Sequence, residues 1–109
     1  MSILDELKAH NQRQFKLMLR LLQAYQNNET SLWQLAIDLP ALHDALEQVD
    51  SRWKEDFFNL SSGLDYSWLI LHDEQLSDDI KIQEKKDVSE VIKRLTELVT
   101  DQIVEDHLV

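Results

Sequence analysis

Apolar residues recur along this chain in steps of three and four, the spacing that lines one face of an α-helix. Between Leu4 and Gln26, positions Leu4, Asn11, Phe15, Met18, Leu22 and Tyr25 form one stripe, widened by Leu7, Leu19 and Leu21. Asn27-Asn28 is a natural stop, since asparagine tolerates turn conformations. The stripe has a heptad look but is too short for a coiled coil, so it reads as core packing. A short second helix is predicted over Leu32–Asp38, with Ser31 and Gln34 as a capping box. Pro40 has no N–H to donate, so the pattern predicts a break there, with Asp38 capping a third helix over Pro40–Val49. That helix carries Leu42, Ala45, Leu46 and Val49 inward.

Asp50 or Ser51 is the candidate cap of a fourth helix reaching His72, with Trp53, Phe57, Leu60, Leu64, Trp68 and Leu71 at helical spacing. Ser61-Ser62-Gly63 is its weak point, because a mid-helix glycine costs about 1 kcal/mol relative to alanine. Residues 73–79 read as a loop or an acidic helix start with Ser77 as a cap. Ile80-Lys81-Ile82 alternates and is compatible with an extended segment. The clearest helix is the last, over Lys86–Glu105, with Val88, Val91, Ile92, Leu95, Leu98, Val99 and Ile103 inward. Five amphipathic helices with short connections predict an all-α fold. It is a single domain over residues 1–109, an antiparallel bundle of about five helices around one core. One glycine and one proline in 109 residues leave too few turn formers for an all-β alternative.

Composition narrows the function more than the fold. The chain has 21 acidic and 11 basic residues, a net charge of -10, and no cysteine. Nucleic acid and anionic membranes are thereby excluded as partners of a basic surface. Disulfides, thiolate catalysis and cysteine metal sites are excluded outright. A single glycine rules out a glycine-rich phosphate loop. The N-terminus lacks a signal-peptide apolar run, and Trp68-Leu69-Ile70-Leu71 is too short to span a bilayer, so a cytoplasmic protein is expected.

The charge is segregated. Residues 31–80 hold eleven acids against Arg52 and Lys54, and residues 60–80 hold no base at all. Such a region is either a solvated face or a docking surface for a basic partner. Within it, Asp44, Glu47, Asp65, Asp73 and Asp78 are the candidate partner-binding residues. At helical spacing, Asp44 and Glu47 are expected to share a face of the third helix. Trp33, Trp53 and Trp68 read as core or core-edge residues, and an exposed one beside the acids would mark an interface anchor.

Catalytic chemistry finds little support. His43-Asp44 and His72-Asp73 have the local form of metal-phosphohydrolase ligand pairs, but the further ligands such sites need are missing. His43 and Glu47, four apart, supply two ligands where a metal needs three or four. No serine has a glycine-flanked elbow or a paired base. No enzyme activity and no cofactor or metal are expected.

One stretch goes further. Residues 29–50, from Glu29-Thr30-Ser31-Leu32-Trp33 through Ile37-Asp38-Leu39-Pro40-Ala41-Leu42-His43-Asp44 to Leu46-Glu47-Gln48-Val49-Asp50, lead into Trp53-Lys54-Glu55-Asp56-Phe57. This run resembles a group of small acidic helical immunity proteins of contact-dependent growth inhibition and related polymorphic toxin systems. The resemblance covers roughly residues 29–74. Where that group carries a bulky, often aromatic pair, this chain has Ser61-Ser62. The resemblance implies a cytoplasmic immunity protein that occludes a cognate toxin C-terminal domain, a nuclease with a basic cleft. The alternative is a non-enzymatic regulatory or adaptor module for another basic protein. A homo-oligomer is not indicated.

Overall fold

The structure, a computed structural model, describes residues 2–104. Four of its helices start at a side chain that accepts a backbone N–H otherwise left unpaired at a helix start. Ser2 caps α1 (Ile3–Gln26) at Asp5, Ser31 caps α2 (Leu32–Asp44) at Gln34, and Asp50 caps α3 (Ser51–Ser61) at Trp53. Ser77 caps α5 (Asp78–Gln102) at Ile80. The remaining helix, α4 (Leu64–Leu71), follows α3 after a two-residue break and has no side-chain cap. Helix accounts for 79% of the described residues, and no strand occurs among them.

The helices form a four-sided antiparallel bundle in which α3 and α4 together make one leg. α1 packs between α2 and α5, and each of these packs in turn against both α3 and α4. The core is a continuous apolar cluster. Phe15, Met18 and Leu22 enter it from α1, Leu32, Leu35 and Leu39 from α2, Trp53 and Phe57 from α3, Leu64 from α4, and Val88, Ile92, Leu95 and Val99 from α5. These are the residues the three- and four-step pattern places inward.

Three boundaries differ from the sequence expectation. α2 runs through Pro40 to Asp44, so the second and third predicted helices are one, and Asp38 caps nothing. A proline inside a helix forfeits one hydrogen bond and costs about 3 kcal/mol in isolation. Here Leu35 and Leu39, both fully buried, lock the backbone on the core side while Pro40 faces solvent. Beyond Asp44 the chain is irregular, and Gln48 takes a left-handed φ of 52°. The predicted fourth helix does divide at its weak point, into α3 and α4. The last helix starts at Asp78, so Ile80-Lys81-Ile82 is helical, not extended. It ends at Gln102, short of the expected Glu105, which itself lies outside the described residues.

Three consecutive polar residues of α1 tie the bundle's ends together. His10 Nε2 donates to the Ala45 carbonyl at 2.6 Å. The Asn11 amide donates to the Glu47 carbonyl at 2.6 Å and accepts the Glu47 N–H at 2.9 Å. Gln12 does the same after α5, donating to the Gln102 carbonyl at 2.7 Å and accepting the Val104 N–H at 2.9 Å. Backbone groups that no helix pairs are thereby satisfied by side chains, as the cost of leaving them unpaired demands.

Candidate functional site

The two long stripes of exposed residues beside the α2/α3–α4 contact are set by helical spacing. On α2 they are Trp33, Ile37, Pro40 and Asp44. On the α3–α4 leg they are Phe58, Ser62, Asp65 and Leu69, and all eight are exposed. Both sets follow steps of four, three and four, so each lies along one side of its helix. Across the break Ser62 keeps helical dihedrals and Gly63 turns the chain with φ -97° and ψ 1°.

Two ring contacts fix how the stripes face one another. Trp33 lies against Trp68 with centroids 5.0 Å apart, and His43 lies beside Phe58 at 6.4 Å. Ten residues onward on α2 thus correspond to ten residues backward on the partner leg, so the legs are antiparallel and in register. By that count Trp33 lies level with Trp68 and Leu69, Ile37 with Leu64 and Asp65, Pro40 with Ser61 and Ser62, and Asp44 with Phe57 and Phe58. The seam between them is apolar at both ends and carries one aspartate from each leg.

Its apolar members are far from buried. Trp33 is 43% exposed, Ile37 50%, Phe58 56% and Leu69 54%, with Tyr66, one turn before Leu69, at 66%. Trp33 is held upright by Trp68, whose ring stacks on His72 at 4.3 Å. His43 supports the other end. Its ring stacks on Phe57 at 5.4 Å, and its Nε2–H donates to the Lys54 carbonyl at 3.0 Å. Its Nδ1 lies 3.6 Å from Asp44.

The five acids singled out by the sequence do not form one cluster. Asp44 and Asp65 belong to the seam. Asp73 lies one helical turn beyond Leu69, where its carboxylate accepts the Gln75 N–H at 2.9 Å. Asp78 sits in the first turn of α5, where a negative charge favours the helix dipole. Glu47 is apart: it lies in the α2–α3 connection, clamped by Asn11 and beside Glu6 and His10. The expectation that Asp44 and Glu47 share a helix face is therefore corrected, because the helix ends at Asp44. Among the described residues the only salt-bridge contact is His43 with Asp44, so none of these acids is neutralised by a described lysine or arginine.

The two His-Asp pairs stand at opposite ends of α2 and its facing leg and do not converge. Among the described residues no three metal-ligating side chains gather. An open groove of about 460 Å³ between α3 and α5 is lined by Asp56, Asn59, Leu60, Arg94, Glu97, Leu98 and Asp101, a mixed polar surface that encloses nothing. No described helix is long and apolar enough to cross a membrane.

Sequence reasoning missed the exposure of Trp33, Ile37, Phe58 and Leu69. The signal was present: at each position the inward stripe of its helix is already complete without it. Comparison with protein-family models, curated proteins and solved structures finds no match to this chain.

Proposed function

We propose that this protein is an immunity protein that binds a basic cognate toxin domain, a nuclease, and neutralises it by occlusion. The observation that carries this reading is the excess of exposed acids in residues 31–80, none of the candidates paired with a described lysine or arginine. An excess of charge of one sign opposes folding through self-repulsion, and it speeds and orients the capture of an opposite charge. Asp44, Asp65, Asp73 and Asp78 are all exposed on that surface, ready to meet lysine and arginine. A nuclease cleft is a surface of that kind, because it neutralises phosphates with those side chains. The resemblance of roughly residues 29–74 to immunity proteins supports the same reading.

The test is co-expression with the toxin domain encoded beside the chain's own gene. Rescue of growth and co-purification of the pair are expected, with affinity falling as salt rises. Growth arrest undiminished by the protein overturns the reading.

A further inference from the structure

We infer that the basic partner docks on the seam between α2 and the α3–α4 leg, anchored by Trp33, Ile37, Phe58 and Leu69 and oriented by Asp44 and Asp65. The inference rests on the proposal that the partner is a basic protein and names the surface that receives it.

The seam joins two features that rarely coincide on a surface that only needs to stay dissolved. Its four anchors and Tyr66 are each 43% to 66% exposed, and apolar side chains grouped along one side of a monomer often mark a functional surface. The patch also lies inside the most negative part of the chain, where apolar exposure does nothing for solubility. Interface hot spots draw on the same residue types, aromatic and aliphatic anchors with charges beside them. Other exposed apolar side chains lack the arrangement. Leu17 stands alone next to Lys16, Ile80 and Ile82 flank Lys81 on α5, and Ile3, Leu4 and Val104 lie outside the acidic stretch of residues 31–80.

Charge decides the occupant. A second copy joined by a two-fold axis would press this patch onto itself and bring Asp44 and Asp65 against the same acids. With a net charge of -10 per chain, that pairing is repelled. A basic partner gains from the same geometry. Asp44 and Asp65, the latter opposite Ile37, are about seven residues apart along the seam, or about 10 Å at the helical rise. The partner surface therefore carries apolar groups toward both ends of the seam and two lysines or arginines at about that separation. Desolvating the anchors sets the lifetime of the complex, and the two aspartates set its rate of formation.

The variants are Ile37→Ala with Leu69→Ala, and Asp44→Asn with Asp65→Asn. All four side chains are exposed, so each variant is expected to keep the parent's fold, which circular dichroism melts check. Trp33→Ala is left aside because it also removes a support of Trp68. Against the co-expressed toxin domain, the apolar pair is expected to weaken binding about 30-fold or more, mainly through faster dissociation. The asparagine pair is expected to slow association about tenfold and to flatten the salt dependence. Parent-like binding by the apolar pair overturns the seam while leaving the immunity reading intact.

If the parent itself fails to protect, the immunity reading falls, and an amphipathic leucine–lysine peptide decides the seam by amide chemical shifts. Shifts centred on residues 33–37 and 58–69 that the apolar pair abolishes support it. Shifts elsewhere overturn it, as does a parent dimer that the apolar pair converts to monomer.

Discussion

Replacing Trp53 tests whether ring packing in the middle of the bundle holds its legs together. The side chain is 7% exposed and touches three of the bundle's sides. Its ring meets Phe15 of α1 edge-on at 5.3 Å and stacks on Phe57 at the same distance. Its indole N–H donates to the Leu98 carbonyl of α5 at 3.0 Å. Removing a buried tryptophan costs about 3–5 kcal/mol through lost transfer energy and the cavity left behind. Aromatic pairing accounts for about 0.5–1.5 kcal/mol per pair and the hydrogen bond for about 1 kcal/mol. A domain of this size has roughly 5–15 kcal/mol in total, so Trp53→Ala is expected to remove a large share of it. Trp53→Phe keeps most of the ring and loses the N–H, and is expected to cost about 1–2 kcal/mol. Urea denaturation followed by far-UV circular dichroism reads both, as a lower midpoint at an unchanged slope. A Trp53→Ala midpoint equal to the parent's refutes the packing argument. Equal losses for alanine and phenylalanine would put the stabilisation in the hydrogen bond instead.

Asn11→Ala removes both bonds to Glu47 and is expected to cost about 1–2 kcal/mol, read as a melting temperature lower by several degrees. Asn11→Asp, which keeps the acceptor but sets a carboxylate against the Glu47 carbonyl, should be no better. Gly63→Ala should stabilise by about 0.4–1 kcal/mol in the same melt, because the residue has a φ of -97° and nothing lies within 4 Å of an added Cβ. Burial holds the Tyr25 phenol above its ordinary value of 10.0, so the neutral form is favoured in the folded chain. The stability this confers is present below pH 10 and lost as pH rises through the folded value; Tyr25→Phe should show a smaller loss over that range in parallel melts.

The inward faces were legible because burial leaves a period in the sequence. Phe15, Met18 and Leu22, or Val88, Ile92, Leu95 and Val99, announce their helices whatever surrounds them. The caps Ser31, Asp50 and Ser77 were legible for a similar reason, since each bond spans only three residues. What failed depended on distant parts of the chain. The continuation of α2 through Pro40 rests on Leu35 and Leu39 being gripped by other helices, a tertiary effect that overrides local propensity. Ile80 and Ile82 alternate as a strand would, but Ser77 starts a helix before them and both stay exposed. The seam was half legible: Asp44 and Asp65 stand out as charge, whereas the facing of Trp33 and Leu69 depends on the register of two legs. The clamps of His10, Asn11 and Gln12 reach partners 35 to 92 positions away, and no local pattern marks them.

The division of labour along the chain also bears on how the molecule is made. Both stripes of the seam lie between residues 33 and 69, so ribosomal synthesis delivers them together and before α5. The Gln12 latch, by contrast, waits for Gln102 and Val104, and Trp53 waits for Leu98. A nascent chain therefore holds every piece of the proposed docking face well before it can close its own core. Until α5 arrives, the inner sides of α1 and α3 are uncovered apolar surface, the state in which a helical bundle is most exposed to aggregation and proteolysis.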